Sequence, residues 1–391
     1  MSTPCVRDIR VVLVVVAAVV SGVTGCGDGR APSPAASPSP AASPSPVASP
    51  SPEPADLAEP GPYGVGRRTF AFVDPDRDGR PVEVWVRYPA LVDPGDPAKD
   101  APPDPSGAPY PVILGDADIA AYLGEHLTSH GFVFVEGLGQ RTWGSGHPTP
   151  SMVDYPLDLM VGLDGLAALE DDPLATILDT DRAGVVGYSF GAWTALTLAG
   201  ARVDPDHYLA TCSDRPAGWP DHWFAYICGS RERWDSFVRR GVEAGVAGDD
   251  GLWRAFGDER IRAVVPMMPE GFDLVGERGI ASATADALFL AGSADIDNDY
   301  DPAALSLFEH YPADRLAMVT FVGADHGLIF TEDGLAQIRR LTTLFLDARL
   351  RGAADSADLL AKSWIEGVAP TLEPHPSYET LVWGAVEPAG G

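Results

Sequence analysis

Between residues 111 and 350 the chain alternates short apolar runs with segments of helical period, and this alternation constrains its fold more than any other feature. Residues 111–114, 132–136, 183–186, 263–267, 287–291 and 317–322 read as buried strands. Between them, residues 119–130, 155–169, 190–201 and 334–350 carry helical spacing. In the second of these helices Leu157, Met160, Val161, Leu163, Leu166 and Leu169 gather on one side. Strands that alternate with helices imply an α/β architecture: a mainly parallel sheet covered on both faces.

An antiparallel hairpin is expected to precede this core. Residues 67–72 and 82–88 have strand character, and "DPDRDGR" between them supplies turn chemistry, with Asp78-Gly79 at its tip. Asp74, Asp76 and Asp78 also mimic the start of an EF-hand loop. The twelfth position is Trp85 rather than Glu and no flanking helix is evident, so the hairpin is preferred. Residues 203–258 interrupt the alternation. They are rich in tryptophan (Trp219, Trp223, Trp234, Trp253) and read as a lid-like excursion over the carboxyl edge of the sheet, the alternative being an insertion packed away from it.

The N-terminal part does not belong to that core. Arg7 and Arg10 precede an unbroken apolar run over residues 11–20, too short to span a bilayer and apt for a secretory signal over residues 1–26. The run ends in Val23-Thr24-Gly25-Cys26, which resembles the lipobox of bacterial lipoproteins. The resemblance implies lipid on Cys26, membrane attachment through that anchor, and an extracytoplasmic location. Residues 27–62 follow as a tether. Repeats such as "AASPSP" favour polyproline II, which at ~3.1 Å per residue could carry the domain up to ~75 Å from the membrane. The folded domain is expected over residues 63–391. Cys5 would leave with the signal, so Cys212 and Cys228 remain; an exported domain makes them candidates for one disulfide, with two separate buried thiols as the alternative.

Charge narrows the partners. With 56 Asp and Glu against 27 Lys and Arg, the chain lacks the basic face that a nucleic acid requires. No pair of histidines stands at metal-binding spacing, and no glycine-rich phosphate loop opens a helix. The run Asp295, Asp297, Asp299, Asp301 has calcium-like spacing but neither Gly at the sixth position nor Glu at the twelfth. No metal and no cofactor is expected.

Chemistry concentrates at Gly187-Tyr188-Ser189-Phe190-Gly191. This GxSxG run lies between the strand "AGVV" and the helix "FGAWTALTLAG", the setting of a nucleophile elbow. A serine hydroxyl needs a base to take its proton. His326, in "FVGADHGLIF", follows the last strand and so reaches the same sheet edge. Asp295 directly follows the strand "ALFLAG" and is the preferred acid, with Asp297, Asp299 and Glu270 as rivals; the order Ser, Asp, His is that of α/β-hydrolases. His126 and His130 are assigned to a surface helix. An oxyanion would rest on the N–H of Phe190 and on a second donor from Gly115, Asp116 or Ala117. Trp143, Met267, Met268 and Phe272 are candidates to line the acyl or alcohol cleft.

The elements "GRPVEVWVRYPA", "YPVIL", "EHLTSHGFVFVE", "LDTDRAGVVGYSFGAWTALTLAGA", "IRAVVPMMP", "ADALFLAGSAD" and "GADHG" together resemble bacterial dienelactone-hydrolase-like proteins. Among these, the pattern is similar to platelet-activating-factor acetylhydrolases and related bacterial esterases, polyester-cleaving ones included. The resemblance covers roughly residues 63–350. It implies an α/β-hydrolase fold and carboxylic-ester hydrolysis through an acyl-enzyme, with Ser189 as nucleophile, Asp295 as acid and His326 as base. Small-molecule, lipid or polyester esters would be the substrates. True dienelactone hydrolases use a cysteine where this chain has Ser189. Relatives also commonly show a His-Gly pair at the oxyanion loop, where this chain has Gly115-Asp116-Ala117-Asp118. An amidase or peptidase on the same fold, or a non-catalytic envelope binding protein, remain the alternative functions.

Overall fold

The computed structural model describes residues 56–138, 146–248, 251–312, 316–354 and 379–383. Cys26, the signal and most of the tether lie outside the described residues, as does Trp143. Among the described residues, no helix is long and apolar enough to cross a membrane.

The hairpin is formed by β1 (Gly64–Asp74) and β2 (Arg80–Ala90), paired antiparallel from Gly64 opposite Ala90 to Asp74 opposite Arg80. Both strands run beyond the expected 67–72 and 82–88, because the backbone pairing continues to Gly64 and Ala90 at one end and to Asp74 and Arg80 at the other. Asp78 and Gly79 take φ of 55° and 71° at the tip, the left-handed conformation that Asp and Gly tolerate. Asp74 serves the turn rather than a cation: its carboxylate accepts from the Asp76 N–H and from the buried Arg77 guanidinium.

The remaining strands are β3 (Ala98–Lys99), β4 (Tyr110–Gly115), β5 (Val133–Gly137), β6 (Leu178–Tyr188), β7 (Ile261–Met267), β8 (Asp286–Gly292), β9 (Leu316–Val322) and β10 (Glu379–Trp383). They form one sheet in the order β10-β9-β8-β7-β6-β4-β5-β2-β1-β3. From β9 through β5 every pairing is parallel; β10 joins β9, and β2 joins β5, antiparallel.

Helices α1 (Ala117–Ile119) and α2 (Glu125–Ser129) are joined by a wider π turn over Ala120–Gly124. The others are α3 (Ser151–Ala167), α4 (Phe190–Leu198), α5 (Pro205–Ser213), α6 (Asp221–Cys228), α7 (Arg231–Glu243), α8 (Phe272–Ile280), α9 (Ser306–His310) and α10 (Glu332–Leu346). Successive strand side chains point to opposite faces. Val112, Leu114, Val133, Val135 and Val185 accordingly join a core with α3 and α4, while Ile113, Phe134 and Val186 join a second core with Leu123, Leu127 and Leu344. The chain is therefore α/β, with a mostly parallel central sheet between helical layers.

The tryptophan-rich segment has a packed interior. Trp219, Trp223, Trp234 and Trp253 are all buried, and they belong to the same core as α3 and α4. Tyr208 stacks on Trp234 at 4.0 Å and Phe237 on Trp253 at 4.7 Å. Such pairs stabilise by about 1 kcal/mol each beyond area burial. A disulfide joins Cys212 at the end of α5 to Cys228 at the end of α6.

Candidate active site

Ser189 occupies the junction of β6 and α4 with φ 55° and ψ −117°. Such a conformation costs a non-glycine residue about 1–3 kcal/mol. Its neighbours make room for it: a Cβ on Gly187 would overlap the Gly191 carbonyl, and one on Gly191 would overlap the Asp116 carboxylate. The Ser189 N–H donates to the Met267 carbonyl at 2.9 Å, which ties the elbow to β7.

Three side chains distant in sequence meet above this edge. Ser189 Oγ lies 3.0 Å from His326 Nε2, and His326 Nδ1 lies 2.8 Å from Asp295 Oδ2. With Nδ1 donating to Asp295, Nε2 is the acceptor for the serine proton. The other oxygen of Asp295 accepts from the N–H groups of Asp297 and Asn298, both at 3.0 Å, so the carboxylate is fixed from two sides. Burial works against a charged His326 ring, but the hydrogen bond and charge of Asp295, with Asp297 and Glu270 behind it, raise its pKa above the ordinary imidazole value. Asn298, which the sequence did not single out, donates to the Met268 carbonyl at 2.7 Å and lies 3.4 Å from Ser189 Oγ.

Helix ends supply polar hydrogens nearby, because the first N–H groups of a helix have no intrahelical acceptor. Phe190 opens α4 and Ala117 opens α1. Ala117 lines the cleft beside Ser189. Gly115 is buried against Phe134, and Asp116 caps α1 by accepting from the Ile119 N–H at 2.9 Å. Of the three loop residues proposed as second donor, Ala117 is therefore the one at the cleft.

That cleft has a volume of about 380 Å³ and is walled by Ala117, Asp118, Ala121, Tyr122, Tyr188, Ile329 and Phe330 around Ser189 and His326. The three described candidates for its lining lie elsewhere. Met267 and Met268 are fully buried. The Met267 side chain is held in the sheet because both faces of β7 are covered, and the Met268 sulfur accepts from the Gly292 N–H. Phe272 packs against the rings of His207 and His310. The insertion's tryptophans do not line the cleft either, although His222 reaches the Ile296 carbonyl at 3.3 Å, in the loop that carries Asp295. His126 is not on a surface helix: it is buried against Thr343 of α10, and burial pushes its pKa down to about 2.

Glu270, the more distant rival for the acid, belongs to a second group of buried charges. His147, Glu270 and Asp273 are each 2% exposed. The His147 ring stands between the two carboxyls, with Nε2 3.7 Å from Glu270 and Nδ1 3.6 Å from Asp273, beyond hydrogen-bond length. Burial, then the charge of Asp273, pushes Glu270 up to about 8. Burial pushes Asp273 up to about 7 and His147 down to about 3. No periodicity or motif marks His147, which the fold alone brings to Glu270 and to Asp273 three residues further on.

No protein-family model matches this chain, and no match to it is found among curated proteins.

Proposed function

We propose that the chain is a serine hydrolase of the α/β-hydrolase fold that cleaves carboxylic esters through an acyl-enzyme on Ser189. The single observation that carries this reading is the unbroken chain of contacts from Ser189 Oγ through His326 to Asp295, set on a strained strand-to-helix turn. Strain of this kind persists where it serves chemistry.

In the proposed reaction His326 Nε2 takes the hydroxyl proton as Ser189 Oγ bonds to the ester carbonyl carbon. The oxyanion so formed rests on the N–H groups of Phe190 and Ala117. The bond to the alkoxide then breaks, and the imidazolium returns the proton to the departing alcohol. Water attacks the acyl-enzyme, gives its proton to Nε2, and the acid leaves as Oγ regains a proton. Asp295 holds the ring in the required tautomer throughout.

The lipobox-like Cys26 and the Pro-rich tether support an extracytoplasmic, lipid-anchored location. The Cys212–Cys228 disulfide is consistent with an oxidising compartment. One observation favours the alternative of a binding protein without turnover: the buried Asp116 carboxylate packs against Gly191 at the start of α4, beside the proposed oxyanion site. Fluorophosphonate labelling and hydrolysis of p-nitrophenyl esters separate the two. The hydrolase reading requires stoichiometric labelling at Ser189 and turnover, both lost in Ser189→Ala. An intact chain that neither labels nor hydrolyses any ester, yet binds a ligand equally with and without the hydroxyl, makes it a binding protein.

A further inference from the structure

The cleft wall has a chemical character that ester hydrolysis does not require. Three aromatic rings meet there: Tyr122 lies 5.8 Å from Phe330, and Tyr188 lies 6.2 Å from Phe330, both pairs edge to face. Phe330, 66% exposed, is the outermost of the three and lines the cleft. Carboxylates surround these rings. Asp118 lines the cleft itself, and Asp297 and Asp325 are exposed within electrostatic reach of Tyr188, whose pKa is raised first by burial and then by Asp295, Asp325 and Asp297. Among the described residues, no Lys or Arg lines the cleft. The cation behind it, Arg339, is held on the Tyr122 carbonyl at 3.1 Å.

Aromatic faces attract a cation through their quadrupole, and unpaired positive charge is what a carboxylate rim concentrates. An apolar pocket for a fatty chain would need the rings without the acids. Resting on the ester-hydrolase reading of the same site, we propose that the cleft selects esters bearing an alkylammonium group, with Tyr122, Tyr188 and Phe330 against the cation and Asp118 at its mouth. The same rim disfavours esters whose alcohol carries a phosphate or sulfonate.

Three acetate esters of similar shape and different charge test this: acetylcholine, its neutral carbon isostere 3,3-dimethylbutyl acetate, and the acetyl ester of isethionate. At low ionic strength kcat/KM is expected to be at least about tenfold higher for acetylcholine than for the neutral ester, a difference of about 1.4 kcal/mol. It should be lowest for the anionic ester. Asp118→Asn and Phe330→Leu should each shrink the preference, and added salt should shrink the part due to the exposed carboxylates. Equal rates for the charged and neutral esters, or a faster neutral ester, overturn the proposal while leaving the hydrolase reading intact. Calorimetry on Ser189→Ala with choline and with 3,3-dimethylbutanol reads cation selectivity without turnover. Choline binding in a protein that hydrolyses no ester supports the cation site and removes the hydrolase reading. Failure to bind choline more tightly than the neutral alcohol removes the cation site.

Discussion

Replacing Glu270 by glutamine isolates one buried proton, and linkage gives the size of its effect. An acid whose pKa is higher folded than unfolded binds more protons in the native state, so it lowers stability as pH rises between the two values. For Glu270 that window runs from its ordinary 4.5 to about 8, and for Asp273 from 3.8 to about 7. His147 acts oppositely: its pKa drops from 6.5 to about 3, so its contribution to stability grows with pH until about 6.5. Below pH 6.5 the imidazole therefore offsets one of the carboxyls. Above it the carboxyls act unopposed. From pH 6.5 to 8 the proton that Glu270 holds in the folded state falls from nearly one to about a half, a factor of roughly sixteen in the folding constant, or about 1.6 kcal/mol. Glu270→Gln keeps the shape and removes the titration. Relative to the parent it should gain stability throughout that window, by about 2 kcal/mol between pH 4.5 and 6.5 and about 1.6 kcal/mol more between pH 6.5 and 8, with little change below about pH 4. Urea unfolding followed by fluorescence of the buried tryptophans at three pH values measures the difference. Parallel midpoints for parent and variant across the range would refute the idea that this carboxyl is protonated in the folded protein.

Other expectations concern the hydroxyl and the staple. Asp295→Asn should lower kcat by about 10³–10⁴ through loss of the productive imidazole tautomer. Because Asp295 is also what raises the His326 pKa, the acid limb of the pH–rate profile should move to lower pH in that variant. An unchanged limb would point to another partner for the ring. Removing the disulfide as Cys212→Ser with Cys228→Ser opens a loop with a sequence separation of 16, for which chain entropy predicts a loss of about 3 kcal/mol. Thermal unfolding checks this, and a loss confined to α5 and α6 in hydrogen exchange would show that the staple is local.

The parallel sheet and the elbow were legible because each depends on local pattern. Short apolar runs can be read as strands when helical period separates them, and Ser189 sits between the two kinds of segment. Asp295 and His326 could be placed because each directly follows a strand that ends at the same edge. Direction was harder to read. Met267 and Met268 stand at a strand end, as cleft residues do, but both faces of β7 are covered, and the left-handed turn at Met268, φ 46°, accompanies a sulfur bonded to Gly292. The tryptophans of the insertion suggested a lid by composition; Trp223, Trp234 and Trp253 pack on Tyr226, Tyr208 and Phe237 inside a core, contacts that composition does not show. The pairing of Glu270 and Asp273 with His147 carried no signal, since the histidine comes from a segment remote from both in the chain.

The hydroxyl and the imidazole hang from different parts of the same sheet. Ser189 follows β6, an inner strand flanked by β4 and β7, while His326 follows β9, whose other neighbour is the terminal strand β10. The first residue of β10, Glu379, pairs with Val322, four positions before the imidazole. Loosening that margin would slacken His326 while leaving Ser189 seated, so the contact between the two has a weak flank at the β10 edge of the sheet.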